Sequence, residues 1–406
     1  MDKKSIIIIV SSIIAIAGIF GVVKFGLYTY EKEKEEEIIR EAVVEVELAE
    51  DLIAPFNSKK RVSDFITSIN GEIVDDYLID TIELGNKNVS FEFVNDDGIK
   101  VPYSYVVEVK DTTPPIVWLS GNYYIDTKFS STLEEKILCA DDYDDVPTCR
   151  VEGTYDTKKI GKYQLNFKAT DSSGNETSIP FTLHVSAPST SSSSYNPTRL
   201  PFSEMVTKFK NDNTALGIDV SSWQGNLNFE KLKKAGVEFA FIRVGSKWAS
   251  TGEYFLDSKF ERNMEGFNEV GIPVGAYFYS YAKNEEEAKE EAEWVIEKLK
   301  SYKVDLPVAF DFEDWGSYNK YEMSLYRLNR NAEVFIQTLK DAGYEGMLYG
   351  SLNYLNKMWD TDEKIVWGAH YTTNANYEGT FDYWQFSSAG RVDGCAGDVD
   401  LNIMYK

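Results

Sequence analysis

Histidine is almost missing from this chain: of 406 residues, only His184 and His370 are histidines. Zinc sites and proton relays that need several imidazoles are thereby excluded. Cysteine is scarce as well, limited to Cys139, Cys149 and Cys395, too few for a disulfide framework although one bridge stays open. Positive charge is short too, with 42 Lys and Arg against 66 Asp and Glu and a formal net charge of −24. A chain so acidic, with no long basic run, is poorly suited to hold nucleic acid or anionic lipid by charge. Acid–base chemistry therefore falls to carboxylates, and neither a metal nor a cofactor is expected. What is present is globular in character: 43% hydrophobic and 14% aromatic residues. The length suggests two to four domains.

Lys3 and Lys4 precede Ser5–Val23, which carries no charge and is rich in isoleucine. Such a run is long enough for a helix to cross a bilayer core. Residues 1–30 are read as a transmembrane anchor and the acidic 31–44 segment, opening on EKEKEEE, as a juxtamembrane spacer. Lysines before the span place the N-terminus in the cytoplasm and the body outside. Cleavage at Ala15-Ile16-Ala17, which would release a secreted protein, is the alternative.

Residues 45–112 and 113–187 carry an internal repeat. Gly85–Phe91 matches Gly161–Phe167, the turn Asn95–Gly98 matches Asp171–Gly174, and Tyr105–Val109 matches Phe181–Val185. Strands flanking an Asp/Ser/Gly turn are hairpins. Two copies of this size are expected to be two antiparallel β-sandwiches. The second, with PPIVWL near its start and KATDSSGNET before its last strand, resembles the bacterial immunoglobulin-like modules of surface proteins, which implies a spacer or a wall-contacting stalk. Cys139 and Cys149 bracket the acidic loop ADDYDDVPT and are the candidate disulfide outside the membrane. Asp141, Asp142, Asp144 and Asp145 offer oxygens to calcium but lack the spacing of a known calcium loop, and are read as a solvated turn. His184 alternates with buried neighbours and is read as an exposed sheet residue. Residues 188–214, opening on a Ser/Pro-rich run, are read as a linker.

From 215 to 406 strand-like and helix-like runs alternate, with glycines closing the helices. That pattern predicts an α/β fold with a parallel sheet, and seven or eight strands allow a (β/α) barrel whose last helices are missing or minimal. Active sites of such folds lie at the carboxyl ends of the strands. Those ends carry Asp219, Tyr277, Tyr279, Asp311, Glu313, Trp367, Tyr371 and Trp384, and the terminal segment adds Asp398 and Asp400. Asp311 and Glu313 stand two apart in VAFDFED, so both point to the face that Val308, Phe310 and Phe312 avoid. Acids ringed by Tyr and Trp suit a neutral, ring-shaped substrate, and carbohydrate is the natural candidate.

GIDVSSWQG (217–225), GAYFYSYA (275–282), VAFDFED (308–314) and GDVDLN (397–402) together resemble glycoside hydrolase family 25, the Chalaropsis-type lysozymes. The resemblance covers the C-terminal unit and neither the anchor nor the β modules. It implies a modified (β/α) barrel that cleaves the β-1,4 bond between N-acetylmuramic acid and N-acetylglucosamine in peptidoglycan. By position, Glu313 resembles the general acid, Asp311 a partner that orients the acetamido group or a water, and Asp219 and Asp400 supporting carboxylates. Tyr277, Tyr279, Trp367 and Trp384 are expected to line the substrate groove, with Tyr349, Tyr371 and Gln385 in the same substrate-binding set. Spacing alone leaves retaining, inverting and substrate-assisted routes open. Cys395 has no histidine placed to partner it and is read as a structural thiol, while His370 either faces the groove or packs. The other class of protein compatible with these residues is an inactive wall-binding scaffold of a surface or secretion apparatus.

Overall fold

The structure, a computed structural model, describes residues 28, 30, 32–34, 36–188, 198–372 and 379–406. Nearly all of the expected anchor therefore lies outside the described residues. Among those described, no helix is long and apolar enough to cross a membrane. The chain forms two compact units, Met1–Thr112 and Thr113–Lys406.

In the first unit the strands Gly85–Asn95 and Lys100–Lys110 make a long hairpin. Ile53–Pro55 adds to its second strand in parallel and Gly71–Ile73 to its first in antiparallel fashion. Val89, Phe91 and Phe93 alternate inward to form its core with Val107 and Val109. The second module repeats this layout. Gly161–Thr170 and Glu176–Ser186 form the hairpin, Asn122–Asp126 joins in parallel and Thr148–Glu152 in antiparallel fashion. The sequence repeat is thus a repeat of one four-stranded sheet. The sheets are mixed rather than purely antiparallel, because alternation reports which face is buried and not which way a neighbouring strand runs. His184 is half-buried rather than exposed: it stacks on Tyr124 at 4.5 Å and its Nε2 meets Asn122 Oδ1 at 2.8 Å.

Eight strands of the second unit close into a barrel: β1 (Thr214–Val220), β2 (Phe239–Lys247), β3 (Val274–Tyr279), β4 (Val308–Asp311), β5 (Gly346–Ser351), β6 (Ile365–Ala369), β7 (Tyr383–Arg391) and β8 (Val399–Tyr405). Neighbours from β1 to β7 are parallel, and β8 closes the ring antiparallel to both β7 and β1. Ala215, Phe239, Phe241, Ala309, Met347, Trp367 and Tyr383 fill the interior. Gly217 makes this possible on β1, since a Cβ there would lie 2.6 Å from the Phe239 ring. The alternate residues, among them Ile218, Ala240, Phe310 and Leu348, face outward onto the helices.

Helix α1 (Phe202–Phe209) precedes the barrel, and α2 (Phe229–Ala235), α3 (Phe260–Val270), α4 (Glu285–Leu299) and α5 (Leu325–Asp341) follow its first four strands. Gly236 and Gly271 end α2 and α3 with φ of 97° and 70°, a left-handed turn that costs glycine little. After β5 only the short helix Leu352–Leu355 intervenes. The 188–214 reading as a linker fails over its second half. Phe202 and Met205 are buried in the barrel's outer core and Arg199 pairs with Asp398, so the barrel domain begins near residue 199.

The second β module is also part of this unit rather than a separate stalk. Leu138 and Ala140 belong to the same hydrophobic core as α3, α4 and α5. Cys139 and Cys149 are disulfide-bonded. The loop between them is not a solvated turn: Asp141 is buried, Asp144 accepts a hydrogen bond from the Ser172 hydroxyl, and Asp145 pairs with Arg327 of α5. Charge alternation in the sequence could not reveal that partner, 182 residues away.

Candidate active site

The carboxyl ends of the barrel strands gather four acids. Asp219 sits on β1 directly opposite Asp400 of β8, and Asp311 ends β4 in register with Tyr279 of β3 and Tyr349 of β5. Glu313 follows two residues beyond Asp311, where the chain leaves the strand.

A hydrogen-bond network fixes Asp219. Its Oδ2 accepts from Gln385 Nε2 and Asn402 Nδ2, both at 2.8 Å. Each amide can face only one way. Gln385 Oε1 is occupied by the hydroxyls of Tyr349 and Tyr371 at 3.0 Å, and Asn402 Oδ1 accepts from the donor-only Trp367 Nε1 at 2.8 Å. Burial raises the Asp219 carboxyl above its ordinary value, and the hydrogen bonds from Asn402, Gln385 and Asp400 oppose that rise. Asp400 holds the shared proton: burial first, then the Asp219 charge, push its carboxyl up to about 9.

Asp311 is buried, and one of its oxygens, Oδ1, has no hydrogen-bond partner among the described residues. Burial, then Glu313 and Asp219, lift its carboxyl well above the ordinary range, with Arg243 pulling the other way. Asp400 is half-buried, and Glu313 is the most exposed of the four. The walls of the cleft nevertheless surround it closely enough for desolvation to raise its carboxyl. The Asp219 charge adds to this, and the neighbouring Tyr349 hydroxyl opposes it.

The aromatic residues divide. Tyr349, Tyr371 and Gln385 belong to the network, and Tyr277 and Tyr279 point into the barrel mouth with raised hydroxyl pKa, burial being the first cause. The two tryptophans expected in the groove do not line it. Trp367 is buried beneath the acids, packed on Phe241 and Tyr349 with ring centroids 4.5 and 4.6 Å away. Trp384 points to the other side of β7, against Phe209 and Phe386, because its neighbour Gln385 takes the inward position. His370 stands at the end of β6, where its backbone carbonyl accepts from Trp384 Nε1 at 3.0 Å. Cys395 is partly buried and burial raises its thiol, the opposite of an activated nucleophile.

Sequence reading missed three contributors. Arg243, a charge inside the apolar run FAFIRV, binds Asp257 and the Ser222 hydroxyl and so holds the loop after β1. That loop presents Trp223, 84% exposed at the rim. Beyond β2, Trp248 is also exposed and borders a cleft of about 660 Å³ shared with Tyr281, Asp314 and Tyr321. The signal for Arg243 was a lone cation in a buried strand; loop exposure has no such signature. A larger cavity of about 850 Å³ lies between α1 and β7, but none of the four acids lines it, so size does not locate the chemistry.

The barrel mouth thus gathers four carboxylates, the most exposed of them among tyrosines, an arrangement suited to acid–base chemistry. Residues 218–395 match the model of Glycosyl hydrolases family 25. Lysozyme M1 of Streptomyces globisporus is 28% identical over 204 residues, which cover 46% of this chain and 66% of that protein. The autolytic lysozyme of Clostridium acetobutylicum is 26% identical over 189 residues, 46% of this chain and 54% of its own length. A family 25 glycosyl hydrolase structure from Bacillus anthracis aligns at 22% identity and a TM-score of 0.41, over 48% of this chain and 91% of that one.

Proposed function

We propose that this chain is a membrane-tethered muramidase that hydrolyses the β-1,4 bond between N-acetylmuramic acid and N-acetylglucosamine of peptidoglycan. The observation that carries the reading is the division of labour among the four acids: Glu313 is the most exposed of them, and its carboxyl is raised. A proton held there can pass to the glycosidic oxygen as the bond breaks. Asp311, with one oxygen unpartnered, orients the substrate's acetamido group or a water. Asp219, fixed by two amides and Asp400, supplies the negative charge that keeps Glu313 protonated and favours an oxocarbenium-like transition state. Trp223, Trp248 and Tyr281 offer faces on which sugar rings stack. The names of the matched lysozymes support the substrate class. The charge-free Ser5–Val23 run supports the tether, with the catalytic body outside the cell.

The test is dye release from purified cell walls. Glu313→Gln removes the proton donor without removing bulk, and activity should fall by at least about a hundredfold, the lower range of general acid catalysis. Near-wild-type activity of this variant would overturn the assignment.

A further inference from the structure

We propose that the second β module, residues 113–187, is a positioning part of the active site: it holds the segment that carries Glu313. This rests on the muramidase reading of that site. The segment from Glu313 runs into a short 3-10 helix, Trp315–Lys320, whose Trp315 packs on Tyr354 and Trp359 of the barrel and whose far end meets the module.

Asn319 is the principal link. Its Nδ2 donates to the carbonyls of Glu134 and Ile137 at 2.8 and 2.9 Å, and its Oδ1 accepts from the Cys139 N–H at 3.1 Å. One side chain thus satisfies three backbone groups of the module, two of them carbonyls around its short helix Leu133–Lys136. A second link is a stack of rings. Trp118 of the module lies 4.8 Å from Tyr354, which lies 4.2 Å from Trp315, whose N–H donates to the Glu313 carbonyl at 2.8 Å. A third lies just downstream, at the start of α5. The free N–H groups that open a helix need acceptors. Here the Asp141 carbonyl takes the Leu325 N–H at 2.7 Å, the Asp142 carbonyl the Tyr326 N–H at 3.2 Å, and Asp145 Oδ1 the Ser324 N–H at 3.0 Å. Asp145 also pairs with the Arg327 guanidinium. The module therefore grips the chain on both sides of 321–323, immediately after the acid. A spacer would show no such specificity, with part-buried polar partners matched across the junction.

Placement of a proton donor is sensitive: an ångström-scale error can cost a hundredfold in rate. Asn319 and Trp118 are accordingly positioning residues that act through Trp315 and the 313–320 backbone. The experiment uses the full chain and compares wild type, Trp118→Ala, Trp118→Tyr, Asn319→Ala and Glu313→Gln for kcat, KM and pH profile on soluble peptidoglycan fragments. Amide hydrogen exchange over 313–326 is measured on the same proteins. Trp118→Ala and Asn319→Ala should lower kcat about tenfold with little change in KM, move the alkaline limb set by Glu313, and speed exchange over 313–326. Trp118→Tyr should restore both kcat and protection. Unchanged kcat in both alanine variants, with wild-type protein active, would overturn the positioning role. An inactive wild type would instead overturn the muramidase reading, and unchanged exchange would then overturn the support as well. If Asn319→Ala fails to fold, Trp118→Ala and its tyrosine rescue decide the matter.

Discussion

The single side chain that organises the site is Asp219. Burial raises its carboxyl, while two amide hydrogen bonds and one from Asp400 oppose that rise and support its charge. That charge is one cause of the raised Glu313 carboxyl. Asp219→Asn should therefore shift the alkaline limb of the activity profile to lower pH, in addition to lowering kcat. A limb that stays in place would show that Asp219 does not hold the Glu313 proton. Strand-end reading found all four acids because alternation in VAFDFED and the matched GIDV and GDVDLN segments fix which residues turn inward. It misplaced Trp367 and Trp384 for opposite reasons: one faces inward but too deep, and the other sits one residue from the inward Gln385. Trp223 was passed over because a loop has no period. Its replacement by Ala should raise KM about two- to tenfold, the worth of roughly 0.5–1.5 kcal/mol of stacking, measured by steady-state kinetics. Trp384→Phe should leave KM unchanged.

At the scale of elements, the hairpins and barrel strands were legible and their neighbours were not. The Gly85 and Gly161 hairpins recur in sequence and in structure, but the parallel strands Ile53–Pro55 and Asn122–Asp126 are short and carry no alternation to read. Helix α1 was hidden by the Ser/Pro run before it. The Cys139–Cys149 bridge closes the loop whose carbonyls cap α5, so it braces an element of the barrel from within the module. Replacing both cysteines by Ala should lower the denaturation midpoint of the Thr113–Lys406 unit by an equivalent of about 2–3 kcal/mol under oxidising conditions, following loop-closure entropy for a separation of 10 residues. An unchanged midpoint would show that packing of Leu138 and Ala140 alone keeps the loop in place.

Over the whole molecule, acids held neutral by burial set the response to pH. Glu291, buried behind β3 beside Ser280 and Lys247, is pushed up to about 7 mainly by desolvation, and Asp400 to about 9. Both lie above their ordinary values of 4.5 and 3.8, so the stability contributed by the neutral forms is complete below those values and is lost as pH rises through 7 and then 9. Thermal midpoints measured by calorimetry should fall from pH 5 to pH 8.5, and a rise over that range would contradict the protonation pattern. The net charge of −24 works in the same direction through self-repulsion, and it gives no attraction to a wall that carries anionic polymers. Tethering, not charge steering, is the proposed route to substrate. The central claim concerns the bond that is cut. Mass analysis of borohydride-reduced fragments, released from purified peptidoglycan by the chain with Glu313→Gln as control, reads it directly. The account predicts reduced N-acetylmuramic acid at the new ends; reduced N-acetylglucosamine there, or no fragments at all, would contradict it.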